Sequence, residues 1–143
     1  MKILVDLIHP ANIHYFKNFI ASANKNGHSV VITARKKDVL QNLLKEYNLP
    51  FIDMGKGVIG SGGMGKMIYL LKATCVMFKI VFQEKPDIIL SFGSIPCSFS
   101  SFLFRVPHVS FEDTEHAKLN RKIYSPFASI IATPLCFNEK INK

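Results

Sequence analysis

Cysteine is scarce in this 143-residue chain, and the positions of the few cysteines exclude several protein classes. Cys75, Cys97 and Cys136 are odd in number, far apart and never spaced as CxxC. Small disulfide-stabilised secreted domains and structural zinc sites both need paired or closely spaced cysteines. We therefore expect free thiols, a reducing compartment and no metal site.

The chain also lacks a leader pattern and a long apolar run. Its first residues form a strand pattern, without the basic, apolar and small-residue regions of a signal peptide. The most apolar stretch, residues 67–82, contains Lys72 and Lys79 and is shorter than the ~20 apolar residues that span a bilayer. These absences predict a cytoplasmic protein.

Acidic residues are few, because 10 Asp and Glu stand against 18 Lys and Arg, for a formal net charge of +8. Such a balance favours phosphorylated ligands, anionic lipid or nucleic acid. The basic residues are scattered, and their only run of three is Arg35-Lys36-Lys37. No basic stripe or known module supports nucleic-acid binding, so we expect no nucleic-acid partner.

Short apolar runs alternate with helical patterns along the whole chain. Strand patterns begin near residues 3, 29, 51, 87, 107 and 129, with helical patterns between them. Strands separated by helices pair in parallel through right-handed crossovers, and continuous apolar strands indicate a sheet covered on both faces. The sequence predicts a single α/β domain over residues 1–143, a three-layered, Rossmann-like, doubly wound parallel sheet of about six strands in the order 3-2-1-4-5-6.

Such sheets bind ligands outside the carboxyl ends of their strands, at the switch point between strands 1 and 4. Three polar loops follow strands 1, 4 and 5 there, at residues 6–14, 91–96 and 112–116. Two of these loops open helices, whose free N–H groups favour phosphate. Gly93 and Ser94 are the better phosphate candidates, because glycine lets backbone approach a ligand and serine can cap the helix.

Histidines lie in two of the three loops. His9 and His14 follow strand 1, and His116 follows strand 5. A histidine near its working pKa is the usual general base for a hydroxyl group. Each one also has a structural interpretation: packing for His14, capping for His9 and solvation for His116. The convergence of the two loops favours a shared site.

Acidic side chains cluster after strand 5. Glu112, Asp113 and Glu115 can act as acid or base, or accept hydrogen bonds from sugar hydroxyls. They can equally serve as first-turn charges of the following helix, which the helix dipole favours. Asp6, at the end of strand 1, terminates the strand or braces the next loop.

Two further segments have open interpretations. The glycine-rich residues 55–65 lack phosphate-loop spacing, since Met67 follows Gly65-Lys66, so we expect a mobile lid or acceptor loop. We expect the apolar side chains of residues 67–82 mainly in the core. Contact with a membrane or a partner is the alternative, because large exposed apolar patches mark interaction sites.

Several segments resemble an uncharacterised prokaryotic family related to GT-B glycosyltransferases and UDP-GlcNAc 2-epimerases. The resemblance runs nearly end to end, and its most specific segments are HPANIH at residues 9–14 and FEDTEHAKLN at residues 111–120. A more distant similarity is to the GlcNAc transferase of peptidoglycan lipid synthesis. There His14 and the following aromatic residues match a histidine–aromatic pair, while residues 9–12 replace the glycines of its first loop.

The resemblance implies the N-terminal, acceptor-side half of a two-domain GT-B protein, inactive without the C-terminal domain that holds most of the sugar nucleotide. Its partners would be a nucleotide sugar, an acceptor sugar or lipid-linked sugar, a second GT-B domain and, peripherally, the inner face of the membrane. No cofactor or metal is expected, since helix dipoles and N–H groups can stabilise the leaving diphosphate. His14 would be the general base, helped by His9 and Glu112, and the substrate would be bound by Asn12, Gly93, Ser94, Asp113, Glu115 and His116.

Two alternatives stay open. The chain can be half of a UDP-GlcNAc 2-epimerase-like enzyme, in which Glu112 or Asp113 transfers a proton beside the sugar. It can also be a non-catalytic domain that binds a partner through the helix from Met67, or an inert fragment.

Overall fold

A computed structural model describes residues 1–36, 38–56, 63–113 and 118–137. Strands and helices alternate through these ranges, and a short 3₁₀ turn at Ser125–Phe127 follows the last helix. The elements are β1 (Lys2–Leu7), α1 (Pro10–Lys25), β2 (Ser29–Lys36), α2 (Asp38–Glu46), β3 (Ile52–Lys56), α3 (Gly63–Glu84), β4 (Ile88–Phe92), α4 (Ile95–Phe104), β5 (His108–Phe111), α5 (Lys118–Tyr124) and β6 (Ile130–Ala132).

The strands form one parallel sheet in the order β3-β2-β1-β4-β5-β6, which confirms the predicted topology. Its register places four polar side chains in one row near the carboxyl edge. Asp6 pairs with Thr33 on one side and with Ser91 on the other, and Ser91 pairs with Ser110. The row crosses the point where the strand order reverses, so polar groups collect where ligands of this fold bind.

Alternate residues of β1 pack on opposite sides of the sheet, because successive side chains of a strand point to opposite faces. Val5 and Leu7 pack with buried residues of α1 and α2 in the main core cluster. Leu4 packs on the other face, in a cluster with Met77 of α3 and Cys97 of α4. The sheet is thus covered on both sides, which explains why its strands read as continuous apolar runs.

Helix α3 is only partly buried. Ala73, Met77, Ile80 and Val81 lie in the core, whereas six large apolar side chains on the helix are exposed. The apolar side chains of residues 67–82 were expected mainly in the core. Those on one face of α3 lie there, and those on the other face are exposed. Within the described ranges, no helix combines the length and hydropathy that crossing a bilayer requires.

Candidate functional site

A pocket of about 450 Å³ opens at the carboxyl edge of the sheet, beside the switch point between β1 and β4. The loops after β1, β4 and β5 and the helix α5 all contribute to it. Its lining residues are Ile8, His9, Ala11, Asn12, Phe92, Gly93, Phe111, Glu112, Asp113 and Asn120. The structure therefore brings together the three loops that the sequence predicted to converge.

The first loop is fixed by reciprocal capping of α1. His9 is the N-cap residue, and its Nδ1 accepts a hydrogen bond from the N–H of Ala11 at 3.3 Å. Asn12 Oδ1 accepts from the N–H groups of His9 at 2.9 Å and Ile8 at 3.2 Å. This arrangement satisfies helix donors that would otherwise lack partners, and it holds both side chains at the pocket wall.

The capping bond fixes what His9 can offer to a ligand. An Nδ1 that accepts a hydrogen bond leaves the ring proton of the neutral imidazole on Nε2. His9 is exposed, so this N–H can reach a ligand in the pocket. His9 is therefore a hydrogen-bond donor here, suited to a phosphate or hydroxyl oxygen.

Gly93 lines the pocket, and its backbone N–H and carbonyl groups each already have a hydrogen-bond partner. Its N–H donates to Ser110 Oγ at 3.1 Å, and its carbonyl accepts from Asn120 Nδ2 at 2.8 Å. The backbone has φ +52°, a left-handed conformation that favours glycine. The N–H that was expected to bind a phosphate thus already donates to the serine of β5, and the phosphate-binding role of Gly93 stays a prediction.

Ser94 does not line the pocket. It stands at the N-cap of α4, yet its side chain makes no capping bond and is buried. Its Oγ donates instead to Asp6 Oδ2 at 2.7 Å. The expected capping role is therefore wrong, because a buried carboxylate competes successfully for the hydroxyl. Because α4 begins just after Gly93, the positive end of its dipole lies at this edge of the sheet and favours an anion there.

Asp6 lies inside β1 and braces β2 and the start of α4, rather than ending the strand or bracing the loop that follows it. Besides Ser94, it accepts a hydrogen bond from Thr33 Oγ1 of β2 at 2.9 Å and lies 3.5 Å from Cys97 Sγ of α4. Burial, and then the negative charge of Asp6, raise the pKa of the Cys97 thiol well above its ordinary value. Cys97 therefore remains a neutral thiol in the core.

The third loop presents a buried carboxylate. Glu112 is only 5% exposed although it lines the pocket, and its Oε2 accepts a hydrogen bond from Tyr124 Oη at 2.6 Å. Burial, and then this hydrogen bond, raise the pKa of the Tyr124 phenol. The tyrosine therefore stays protonated and holds the carboxylate in one orientation as a donor.

His14 is directed away from the pocket. It does not line the cavity, and its exposed ring packs edge-on against Tyr47 beyond α2, with ring centroids 6.2 Å apart. Position 14 lies on the α2 side of α1, whereas Ala11 and Asn12 lie on the pocket side. The structure therefore does not bring the predicted general base to the cavity, and the packing interpretation of His14 describes it better.

The remaining predicted site residues divide into two groups. Asp113 lines the pocket and is exposed. Glu115 and His116 lie outside the described residues. Residues 57–62 of the glycine-rich segment, which were expected to form a mobile lid or acceptor loop, also lie outside them. Among the described residues, no group of three or more His, Cys, Asp or Glu side chains is arranged to hold a metal ion.

Asn120 lines the pocket and Tyr124 is buried beside it, and neither was among the residues that the sequence predicted for the site. Both lie on α5, where Asn120 donates a hydrogen bond to the Gly93 carbonyl and Tyr124 donates one to Glu112. Their spacing of four residues places them on one helix face, which is the signal that could have identified them. A second cavity of about 300 Å³ adjoins the pocket and shares several residues with it, and Tyr15 of α1 is part of its wall.

Comparison with known proteins places the chain in a family. A family model described as a protein of unknown function, DUF354, matches residues 1–143. The chain belongs to the DUF354 family. An uncharacterized protein of Methanocaldococcus jannaschii is 24% identical to it over 139 residues, which cover 97% of this chain and 40% of the relative.

A further relative of this DUF354 chain has a named activity. A UDP-N-acetylglucosamine–N-acetylmuramyl-(pentapeptide) pyrophosphoryl-undecaprenol N-acetylglucosamine transferase of Sulfurihydrogenibium sp. is 36% identical over 77 residues. That match covers 52% of this chain and 22% of the transferase. It is a partial similarity, confined to about half of the DUF354 chain.

Solved structures share the fold of the DUF354 chain. MurG of Acinetobacter baumannii superposes with a TM-score of 0.73 at 22% identity, covering 97% of this chain and 44% of MurG. A UDP-GlcNAc 2-epimerase of Neisseria meningitidis bound to UDP-GlcNAc gives 0.70 at 15% identity, covering 90% and 39%. The chain thus has the Rossmann-like fold of these proteins. It spans about two fifths of the length of the M. jannaschii relative, of MurG and of the 2-epimerase.

Proposed function

We propose that this chain is the acceptor-side domain of a sugar-nucleotide-dependent glycosyltransferase that works with a second α/β domain and is inactive alone. The observation that carries the proposal is the pocket in which His9, Gly93 and Glu112 meet from three separate loops. The partial similarity to an N-acetylglucosamine transferase and the fold shared with MurG support it. The donor is then a nucleotide sugar, and the acceptor is a free or lipid-linked sugar.

Glu112 is the general base of this proposal. In glycosyl transfer, an acceptor hydroxyl oxygen bonds to the anomeric carbon as the bond from that carbon to the diphosphate breaks. The hydroxyl proton must go to a nearby base. An ionised carboxylate only accepts, and Glu112 is held in the pocket wall by Tyr124, so it suits this step.

The opposite wall of the pocket suits the leaving diphosphate. His9 has an Nε2–H donor, and α4 begins just after the pocket residue Gly93, so the positive end of its dipole lies beside the pocket. Asn12 and Asp113 remain to bind sugar hydroxyls, with Glu115 and His116 as further predicted contacts. Such a site needs no metal or cofactor, because donors and dipoles carry the charge stabilisation.

We propose the cytoplasm as its compartment. The described cysteines are free thiols, and two of them are exposed. Exposed, unpaired thiols persist in a reducing compartment and oxidise outside it.

Activity with a second domain tests the proposal. The chain is expressed together with a second α/β domain and assayed for UDP release from UDP-GlcNAc with sugar acceptors. Glu112→Gln keeps the shape of the side chain and should lower kcat by about 10²–10⁴-fold, the usual contribution of a general base. His14→Ala should leave activity within a few-fold of the wild type. Equal activity of the wild type and Glu112→Gln would remove the assignment of the base.

The 2-epimerase alternative rests on the fold shared with the N. meningitidis enzyme. It is separated from transfer by the same assay without an acceptor. An epimerase forms a new UDP-sugar from UDP-GlcNAc alone, whereas a transferase leaves the nucleotide sugar unchanged.

A further inference from the structure

A second cavity beside the pocket has an aromatic wall. This cavity, the Tyr15 cavity, has a volume of about 300 Å³, and Tyr15, Phe92 and Phe111 form its aromatic wall. Phe92 and Phe111 end the paired strands β4 and β5, and Tyr15 lies on α1 four residues after Ala11 of the pocket wall. Residues four apart share a helix face, so one face of α1 contributes both to the pocket and to the Tyr15 cavity.

The ring of Tyr15 is exposed and yet held by its neighbours. It is 59% exposed, while its ring centroid lies 5.0 Å from that of Phe92, nearly at right angles, and 5.4 Å from that of Phe111. Aromatic rings at such distances stabilise each other. A ligand that packs on Tyr15 therefore meets a ring that is already ordered, which lowers the entropy that binding costs.

The Tyr15 cavity is polar where it joins the pocket. Glu112 and Asp113 line both, and Thr133, after β6, lines the Tyr15 cavity. Carboxylates accept hydrogen bonds from hydroxyl groups, and a threonine hydroxyl both donates and accepts. A pyranose ring has C–H groups on its faces and hydroxyl groups around its edge, and polarised C–H groups are attracted to the negative face of an aromatic ring. An aromatic wall with a polar rim therefore fits a sugar ring.

A neighbouring groove lacks this polar rim. Tyr15 and Phe111 also line that groove, and its remaining lining residues, among them Ile88 and Val109, are all apolar within the described part of the chain. Such a surface suits an apolar segment and offers nothing to the hydroxyl groups of a sugar. The carboxylates and the threonine thus distinguish the Tyr15 cavity as the place for a hydroxylated ring.

We propose that the Tyr15 cavity is a separate subsite for the acceptor sugar ring and that Tyr15 determines acceptor specificity. That the occupant is the acceptor rests on the proposed function. In that displacement the acceptor oxygen bonds to the anomeric carbon, its proton passes to Glu112, and the diphosphate leaves with the electron pair of the broken bond. The acceptor and the diphosphate therefore lie on opposite sides of that carbon. His9, which suits the diphosphate, lines the pocket and not the Tyr15 cavity, whereas Glu112 lines both.

The Michaelis constants of the two substrates test the assignment. In the assay with the second α/β domain, Tyr15→Ala should raise the KM for the acceptor by about tenfold, the effect expected from the loss of one aromatic contact. The KM for UDP-GlcNAc and kcat should stay within about twofold, because packing on Tyr15 is the same in the ground state and in the transition state. Tyr15→Phe keeps the ring and should leave all three constants within about twofold.

Tyr47→Ala is the matched control. Tyr47 is a 36% exposed tyrosine whose ring packs against His14 on the α2 side of α1. Its removal takes away the same side chain far from the aromatic wall, so it should leave the acceptor KM within about twofold of the wild type. Circular dichroism checks that each variant is folded.

Direct binding tests the subsite without catalysis. The full ¹⁵N-labelled chain is titrated with the methyl glycosides of glucose, galactose and N-acetylglucosamine, and separately with UMP as a nucleotide probe. We expect at least one glycoside to give saturable amide shifts at Tyr15, Ala132 and Thr133, with a Kd about tenfold weaker in Tyr15→Ala. UMP should leave these amides unchanged, because the nucleotide belongs to the pocket and the second domain.

Several outcomes would overturn the proposal. No glycoside shifts the amides of the Tyr15 cavity, or UMP shifts them instead, which would assign the cavity to a nucleotide base. Tyr15→Ala raises the KM for UDP-GlcNAc rather than that for the acceptor, or raises the acceptor KM no more than Tyr47→Ala does. Glycoside binding without UDP release would contradict the proposed function and keep the sugar subsite. UDP release with an unchanged acceptor KM in Tyr15→Ala would keep the proposed function and remove the subsite.

Discussion

Ser94 Oγ donates a hydrogen bond to Asp6 Oδ2 at 2.7 Å and thereby ties the start of α4 to the end of β1 across the switch point of the sheet. Asp6 is 1% exposed, and Thr33 supplies a second donor to its carboxylate. A buried carboxylate is stable only when fixed donors replace the water it has lost.

Removing that donor should destabilise the fold. We expect Ser94→Ala to lower the free energy of unfolding by about 1.5–3 kcal/mol, because a buried carboxylate loses a partner. Ser100→Ala is the matched control on the same helix, since Ser100 Oγ donates only to the carbonyl of Pro96. It should cost about 1 kcal/mol or less. Chemical denaturation measures both, and equal losses would contradict the role given to Asp6.

A side chain at Gly93 should disturb the pocket. Gly93→Ala combines a left-handed backbone with a Cβ that would lie 3.2 Å from Asn120 Nδ2 and 3.4 Å from Tyr124 Cε1. Gly27→Ala is the control, because Gly27 has φ +77° and no heavy atom within 4 Å of the added Cβ. We expect a loss of about 1 kcal/mol for Gly27→Ala and at least about 2 kcal/mol for Gly93→Ala in thermal or chemical unfolding. A Gly93→Ala loss no larger than the control would contradict the close approach of Asn120 and Tyr124 to Gly93.

The contribution of the Tyr124–Glu112 hydrogen bond to the free energy of unfolding should decrease at alkaline pH. We expect Tyr124→Phe to cost about 1.5–3 kcal/mol at pH 7, because Glu112 loses a donor. The pKa of Tyr124 is raised in the folded chain above its ordinary value of 10.0, so only the unfolded chain ionises readily as pH passes that value. The stabilisation by this tyrosine is therefore complete below pH 10 and declines above it.

The measurement is the free energy of unfolding of both proteins between pH 7 and 11. The difference between the wild type and Tyr124→Phe should be constant up to about pH 9.5 and shrink beyond it. A difference that grows at high pH would show that the folded phenol ionises more easily than the unfolded one, against the direction of the shift.

The three cysteines should react with thiol reagents in two classes. Cys97 is buried, and burial together with Asp6 raises its pKa, so the reactive thiolate is rare in the folded chain. Cys75 and Cys136 are exposed. At pH 8 we expect two thiols to react quickly in the native chain and the third only on unfolding, as read by mass spectrometry. Fast labelling of Cys97 in the native state would contradict its placement.

The fold could be predicted from the sequence because each element has a local signal. Pro10 and Gly27 mark the two ends of α1, and continuous apolar strands indicate a sheet covered on both faces. Right-handed crossovers and short connections then exclude most other strand orders for six parallel strands. The meeting of the three loops at one edge follows from that order, so the location of the pocket was predictable too.

The roles of individual side chains were not predictable in the same way. Position 14 is one helix turn from position 11, and whether His14 faces the pocket or Tyr47 depends on how α1 rotates on the sheet. Ser94 sits at an N-cap, yet a carboxylate 88 residues away takes its hydroxyl. His108 is fully buried in β5 with both ring nitrogens near serine hydroxyls, although histidine is rarely a core residue. Each of these outcomes is set by long-range contacts, which local sequence patterns do not encode.

The central claim is that the pocket at the carboxyl edge binds a sugar nucleotide or sugar. The most direct measurement is a titration of the ¹⁵N-labelled chain, in the presence of the second α/β domain of the proposal, with UDP-GlcNAc and an acceptor sugar, followed by amide chemical shifts. The account predicts saturable shifts confined to the pocket, at residues such as Asn12, Gly93 and Asn120, that are weakened in Gly93→Ala. No saturable shift at millimolar ligand, or shifts centred on α2 with the pocket unaffected, would contradict it.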